Sequence, residues 1–350
     1  MKVGILTFHN GYNYGAFAQV FALQECIRSL GYEVKIIHYK NLRFTLGEYR
    51  HFLIRKSVFE ILSNLIKIRN FKRDFRSLAL SSRTYELGKE NREYDVVVFG
   101  SDSIWNYTNP LNPMDMGYFG VGVDADKIAY AVSMGPDGYD SDLPTPLLDS
   151  VCSFKAIGAR DENTLDFSRK AGVKAPLEIV LDPTFLYDFA SRTARKREPE
   201  KYLLVYGYQF TQEHREATRQ LAQKMGWELV SVGYENSWCE RSMPTVSPFE
   251  WLEWIKGAEM VMTSMYHGTL LSIQMEKPFW SFVSPYRRKK ISHILNLLKL
   301  EDRMVEENEP KEFLLERLSD PIEWDTLRDR KKRLVLQSMN FLRNSLINAF

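Results

Sequence analysis

Residues 94–100 restrict the fold most: after Tyr94 and Asp95 come Val96, Val97, Val98 and Phe99 in succession, and Gly100 closes the run. Apolar side chains then project from both faces of the segment. Both faces need cover, which marks a central strand of a parallel sheet. Parallel neighbours must be joined by crossovers, normally helices, and the chain supplies them. Residues 2–8 read as a buried strand. Residues 16–30 read as an amphipathic helix with Phe17, Val20, Phe21, Leu23 and Ile27 on one side, stopped at Gly31. A strand at 33–39, a long helix at 58–78, strands at 128–133 and 155–159, and a helix at 162–171 ended by Gly172 complete a first series.

The period fails between 188 and 201, where Ser191-Arg192-Thr193-Ala194-Arg195-Lys196-Arg197-Glu198-Pro199-Glu200 has no apolar face; this is the best linker candidate. A second series follows, with a strand at 202–206, a helix at 212–225 and a strand at 228–233. Ser247-Pro248-Phe249-Glu250 is a capping box with proline at the first helical position. Its helix ends at Gly257 and feeds a strand at 260–265. Residues 322–350 are helical and charged and could pack back across both halves. The expected architecture is α/β, with two Rossmann-like domains facing a cleft. They span 1–190 and 191–310, and 311–350 form C-terminal helices packing back on the body.

Composition excludes more than it selects. Among 350 residues, 44% apolar and 26% charged side chains describe an ordinary globular chain, and a net charge of +2 gives no footprint for nucleic acid. Cys26, Cys152 and Cys239 form no CxxC or His/Cys cluster, so neither a disulfide framework nor a metal site is expected. No apolar run approaches the ~18 residues of a membrane span. The N-terminus enters a strand without a signal-peptide layout, so the expectation is a cytoplasmic protein without cofactor.

Four corners carry candidate chemistry, each where a strand ends. In Ser264-Met265-Tyr266-His267-Gly268-Thr269 a histidine stands at a helix start, whose N–H groups and dipole suit an anion. A single histidine in apolar surroundings is also a common structural residue. His9-Asn10-Gly11-Tyr12-Asn13-Tyr14-Gly15-Ala16 joins the first strand to the first helix and lacks the GxGxxG spacing of a dinucleotide site. Gly100-Ser101-Asp102-Ser103-Ile104-Trp105-Asn106 offers a carboxylate, hydroxyls, an amide and an indole, a set suited to a sugar. The alternative there is a helix cap at Asp102 or Ser103 with Trp105 in the core. Arg160, between a strand and a helix, either grips a phosphate or carboxylate or pairs with a local acid.

In order, Gly4-Ile5-Leu6-Thr7-Phe8 with the loop to Ala16, the 100–106 segment, Tyr130-Ala131-Val132-Ser133-Met134-Gly135, Arg160-Asp161-Glu162, Leu181-Asp182-Pro183-Thr184, His267-Gly268-Thr269 and Lys277-Pro278 resemble the polysaccharide pyruvyl transferase family. The resemblance covers roughly the first 300 residues. It implies a GT-B-like fold and a transferase of surface-polysaccharide biosynthesis. The donor would be phosphoenolpyruvate, and its three-carbon unit would form a ketal on two hydroxyls of a sugar or lipid-linked saccharide. By position, His267 matches the family's donor-site histidine and Arg160 its donor-binding arginine. Gly268, Thr269 and Lys290, near a basic family position, join the donor side. Asn10, Asn13, Tyr14, Ser101, Asp102, Trp105 and Asn106 fall on the acceptor side.

One place departs: where some members carry an arginine two residues before the histidine, this chain has Met265. A replacement cation would come from Arg287, Arg288, Lys289 or Lys290, unless these form a solvated helix start. The basic stretch 50–76, with Arg55, Lys56, Lys67, Arg69, Lys72, Arg73 and Arg76, either contacts an anionic membrane surface or is a solvated helix face. Two other functions stay open: a nucleotide-sugar glycosyltransferase, and a non-catalytic glycan-binding assembly protein.

Overall fold

The computed structural model describes residues 1–40, 57–88, 93–108, 114–135, 143–193 and 201–349. The chain divides into two compact units. The first comprises Met1–Ser57, Phe75–Tyr187 and Arg333–Phe350, and the second Val58–Asp74 and Asp188–Lys332.

The first unit is built on seven parallel strands: β1 (Lys2–Leu6), β2 (Glu33–Tyr39), β3 (Leu80–Thr84), β4 (Val96–Phe99), β5 (Asp126–Val132), β6 (Ala156–Ala159) and β7 (Leu177–Ile179). Their order across the sheet is β3-β2-β1-β4-β5-β6-β7. All four residues of β4 are buried, as its unbroken apolar run requires. The order reverses between β1 and β4, and ligands of open α/β sheets bind outside the carboxyl ends of strands at such a reversal. The helix Tyr14–Ser29 follows β1 and is buried along most of its length. Strands β3 and β7 escaped the sequence reading because Leu80-Ser81-Ser82-Arg83-Thr84 is polar at a sheet edge and Leu177–Ile179 is three residues long.

The second unit repeats the plan with six parallel strands: β8 (Tyr202–Tyr206), β9 (Glu228–Val232), β10 (Arg241–Met243), β11 (Met260–Thr263), β12 (Phe279–Val283) and β13 (Met304–Glu306). Their order is β10-β9-β8-β11-β12-β13, with the reversal between β8 and β11. The capping box is present as read: Ser247 accepts from the Glu250 N–H at 3.3 Å, and Glu250 accepts from the Ser247 N–H at 2.8 Å. The expected linker falls partly on 194–200, outside the described residues.

The long basic helix is shorter than expected. It runs Val58–Asp74, and the chain continues as a 3₁₀ turn, Phe75–Ser77. Although it lies in sequence between β2 and β3, its polar side chains bond within the second unit. Lys67 Nζ donates to the Gly233 carbonyl (2.9 Å), Asn70 donates to the Thr245 carbonyl (2.7 Å), and Asp74 accepts from the Phe249 N–H (2.9 Å). Burial pushes the Lys67 ammonium down to about 8. The remainder of the 50–76 stretch before residue 57 lies outside the described residues. The final helix is Trp324–Asn348, and its residues from Arg333 onward group with the first unit. No helix among the described residues is long and apolar enough to cross a membrane.

Candidate active site

At the reversal point of the first unit, one side chain ties together the loops leaving β1 and β4. The Gln19 amide nitrogen donates to Thr7 Oγ1 and to the Phe8 carbonyl, both at 3.3 Å. Its oxygen accepts from the Ser101 N–H (3.1 Å) and hydroxyl (2.8 Å), and Thr7 Oγ1 donates to the Ser101 carbonyl (2.8 Å). Gln19, Thr7 and Ser101 are fully buried, so the network satisfies itself. Gly100, just before Ser101, lets the end of β4 lie close against β5: a Cβ there would stand 2.0 Å from the Tyr130 carbonyl oxygen, at a φ of +121°.

Several expected acceptor residues are therefore structural. Ser101 belongs to the buried network. Asn13 is the helix N-cap, its oxygen accepting from Gly15 N–H (2.9 Å) and Ala16 N–H (3.1 Å). Tyr14 is buried. Trp105 is 0% exposed, donates its indole N–H to the Tyr118 carbonyl at 2.9 Å, and stacks on Phe119. The expected sugar stacking on Trp105 is corrected: the ring fills the core. Asn106, buried, accepts from Thr108 N–H and Oγ1. Asn10, half-buried, donates to the Tyr39 carbonyl at 3.0 Å. Asp102 keeps a partly open carboxylate, in a left-handed conformation with φ 77°.

Arg160 is also corrected. Its guanidinium is buried and donates to Asp182 (3.1 Å), to Asp102 (3.3 Å) and to Ser103 Oγ (3.1 Å). Asp182, fully buried, also accepts from Thr184 N–H (3.1 Å) and Oγ1 (2.8 Å). A buried guanidinium needs such partners, and here two carboxylates fill the place expected for a donor anion. The local-acid alternative holds, but inside the fold rather than on its surface. Arg160 thereby holds the Asp102 carboxylate in place.

A pair that sequence reasoning did not select lies at the ends of β1 and β2. His9 Nδ1 is 2.9 Å from the Thr7 carbonyl, and His9 Nε2 is 2.9 Å from His38 Nδ1. A carbonyl cannot donate, so His9 carries its proton on Nδ1, and its Nε2 accepts from His38 Nδ1–H. Burial lowers both imidazoles to about 4, with the Lys40 and Arg83 charges adding to the effect. Twenty-nine residues separate the two rings, so only the pairing of the strands exposes the relationship.

In the second unit the reversal point is finished differently. Thr263 Oγ1 donates to the Tyr206 carbonyl (2.7 Å) and accepts from the Met265 N–H (3.0 Å). Ser264 Oγ donates to the Tyr208 carbonyl (2.8 Å) and accepts from its N–H (3.1 Å). These bonds bring the loops after β8 and β11 together. The helix Tyr266–Gln274 then starts at Met265, whose side chain provides no capping bond. Thr269 N–H is the first to meet an intrahelical carbonyl, that of Met265 at 3.1 Å, so the Tyr266, His267 and Gly268 N–H groups precede the ladder. His267, 9% exposed, sits in this first turn.

Two donor-side residues also have packing roles. A Cβ on Gly268 would lie 2.2 Å from Thr263 Oγ1 and 2.7 Å from Tyr206 Cδ1, so this glycine lets the helix close on the sheet. The buried Thr269 hydroxyl bonds Ser281 Oγ at 2.6 Å and is turned into the sheet. Lys290 lies on the helix Pro285–Leu298. Two neighbours in the basic cluster are placed by contacts: Arg288 pairs with Glu306 at 2.7 Å, and the Arg287 guanidinium stacks 4.6 Å from the Tyr208 ring. Arg287 thus reaches the loop that Ser264 ties to the start of the His267 helix.

Among the described residues no group of three or more His, Cys, Asp or Glu is arranged to hold a metal ion. A cavity of about 570 Å³ in the first unit is lined by Lys155, Glu178, Arg333, Asn340 and Asn344. It lies at the amino ends of β6 and β7, away from the reversal point.

Comparison with solved structures supports the architecture. UDP-GlcNAc 2-epimerase from Methanocaldococcus jannaschii is similar with a TM-score of 0.51 and 12% identity, over 96% of this chain and 99% of that one. UDP-GlcNAc 2-epimerase from Neisseria meningitidis, bound to UDP-GlcNAc, is similar with a TM-score of 0.55 and 10% identity, over 99% and 100%. At this identity the likeness is one of fold, and the fold is GT-B-like. No curated protein sequence matches the chain. The family model for polysaccharide pyruvyl transferase matches residues 13–285, from the first N-cap through the His267 corner, and the chain belongs to that family of transferases.

Proposed function

We propose that the protein transfers pyruvate from phosphoenolpyruvate to two hydroxyls of a surface-polysaccharide sugar, forming a cyclic ketal and releasing phosphate. The observation that carries this reading is the start of the helix Tyr266–Gln274: His267 in a first turn whose N-cap side chain makes no capping bond, within a chain of the pyruvyl transferase family. Phosphoenolpyruvate brings a phosphate and a carboxylate. The N–H groups of Tyr266, His267 and Gly268 suit one of them, with the dipole adding to the attraction. Arg287 supplies the cation that Met265 does not, because its contact with Tyr208 holds it beside the same loop.

His267 delivers a proton to the methylene carbon, which makes the adjacent carbon oxocarbenium-like. A sugar hydroxyl attacks that carbon and gives up its proton. Phosphate then leaves with the electron pair of its C–O bond, and the second hydroxyl closes the ring and loses its proton. In the first unit Asp102, oriented by Arg160, is the carboxylate suited to hold an attacking hydroxyl, and Asn10 is a second polar contact. The acceptor is a sugar or a lipid-linked saccharide, met on the cytoplasmic side where phosphoenolpyruvate is made.

Incubation with phosphoenolpyruvate and a panel of free and carrier-linked sugars tests the reading. Acceptor-dependent phosphate release with a ketal product is expected. Release of a nucleoside diphosphate from a sugar nucleotide, or glycan binding without turnover, contradicts it.

A further inference from the structure

The helix Val58–Asp74 has two apolar sides. One is packed in the second unit: Ile68 and Phe71 are buried, and Asp74 bonds the Phe249 N–H. The opposite side carries Val58, Leu62, Leu65 and Ile66, which are 72%, 54%, 49% and 51% exposed. At 100° per residue these four fall within about a quarter-turn of one another. They make up four of the twelve large apolar side chains that are exposed among the described residues, so the patch is a concentration and not scatter. Arg69 and Lys72 continue the same side toward the C-terminus and are exposed. Arg73, also on it, is partly neutralised by Asp74 (3.1 Å) and Glu250 (3.5 Å). The acidic residue of the first turn, Glu60, projects from the other side of the helix.

An apolar stretch in the first turns followed by cations, without an acid on that side, is the pattern of a helix lying in a lipid interface. A second copy of this chain fits it poorly. Parallel pairing of two such faces sets Arg69 and Lys72 against their equivalents, and antiparallel pairing sets each cation against the partner's apolar residues. An anionic bilayer satisfies both halves at once: acyl chains take Leu62, Leu65 and Ile66, and lipid phosphates take Arg69 and Lys72.

We propose that the exposed side of the helix Val58–Asp74 docks the protein on an anionic membrane surface. The attachment is peripheral and reversible. It brings the protein to a bilayer, and it stands whether or not the transfer reaction proposed above is the one catalysed.

The test is co-sedimentation of the full chain with phosphatidylcholine vesicles, with and without phosphatidylglycerol. Binding is expected with phosphatidylglycerol, and it should weaken as salt rises. The double variant Leu62→Gln/Ile66→Gln should lower vesicle affinity about tenfold or more. Arg69→Gln/Lys72→Gln should remove the dependence on phosphatidylglycerol. All four positions are exposed, so the melting temperature of both variants should match the wild type. Failure of the wild type to sediment overturns the proposal, as does undiminished binding by Leu62→Gln/Ile66→Gln. A lowered melting temperature, or loss of a dimer in that variant, would show that the patch is covered by protein and overturn it equally.

Discussion

The two units share a strand order, yet they finish the same place in opposite ways. At the first reversal point side chains do the joining. Gln19, Thr7 and Ser101 bond one another across two loops, and Arg160 links Asp102 to Asp182 beneath them. At the second, the Thr263 and Ser264 hydroxyls tie the loops through backbone groups, and close backbone approach completes the corner. Gly268 lets a helix close on Thr263 and Tyr206, and the N-cap Met265 side chain makes no capping bond. A network that satisfies itself fixes geometry but has little left to offer a ligand. A helix start whose N-cap side chain makes no capping bond suits an anion. In the reaction proposed above, the anion belongs to the second unit and the holding of hydroxyls, through Asp102, to the first.

The sharpest way to break the comparison is Arg160→Ala. It leaves Asp102 and Asp182 without their common cation, and loss of one partner from a buried ion pair typically costs about 3–5 kcal/mol. Thermal unfolding measures this. A melting temperature within experimental error of the wild type would mean that Arg160 does not hold the first unit together. The second expectation runs the other way: His267→Ala should lower turnover ~100-fold or more while unfolding stays unchanged. Phosphate-release rates and calorimetry on the same preparation separate the two effects. Gly268→Ala should cost about 1–3 kcal/mol, because the added carbon overpacks a contact already closed. A stable Gly268→Ala with unaltered turnover would undo the packing argument.

A titration tests the first unit again, with a size reduced by the solvent exposure of His38. The folded chain keeps His9 and His38 uncharged down to about 4, whereas the unfolded chain protonates them near 6.5. Protons therefore favour the unfolded state as pH falls, and the contribution is complete above about 6.5 and lost between there and about 4. Lys40, just past the end of β2, and Arg83, on β3, strengthen the effect at His38. The melting temperature should fall across this window, and His38→Gln should flatten the curve. The smallest expected change is about 1 kcal/mol for Asn13→Ala, the cost of an N-cap side chain, read from the same unfolding curves.

Much of the fold was legible because parallel strands announce themselves. Val96–Phe99 has no polar side, and Ser247 and Glu250 spell out a helix start. Edge strands such as Leu80–Thr84 were not, since half their surface meets water. Nor was the grouping of the helix Val58–Asp74 with the second unit, which depends on contacts more than a hundred residues away in sequence. The candidate site divided along the same line. The places were readable, since the loops after β1, β4, β6 and β11 all carry marked residues. The orientations were not: sequence cannot show that Trp105 points into the core, that Thr269 turns to Ser281, or that Asp182 occupies Arg160. His9 and His38 were missed because nothing in their spacing links them.

The division of labour is most directly tested by calorimetric titration of phosphoenolpyruvate, without acceptor, into the wild type, Arg287→Ala and Asp102→Asn. A charged contact is worth about 1.5–3 kcal/mol. The account therefore predicts that Arg287→Ala weakens donor binding about tenfold or more, and that Asp102→Asn leaves it unchanged. Donor affinity that falls with Asp102→Asn and not with Arg287→Ala would contradict it.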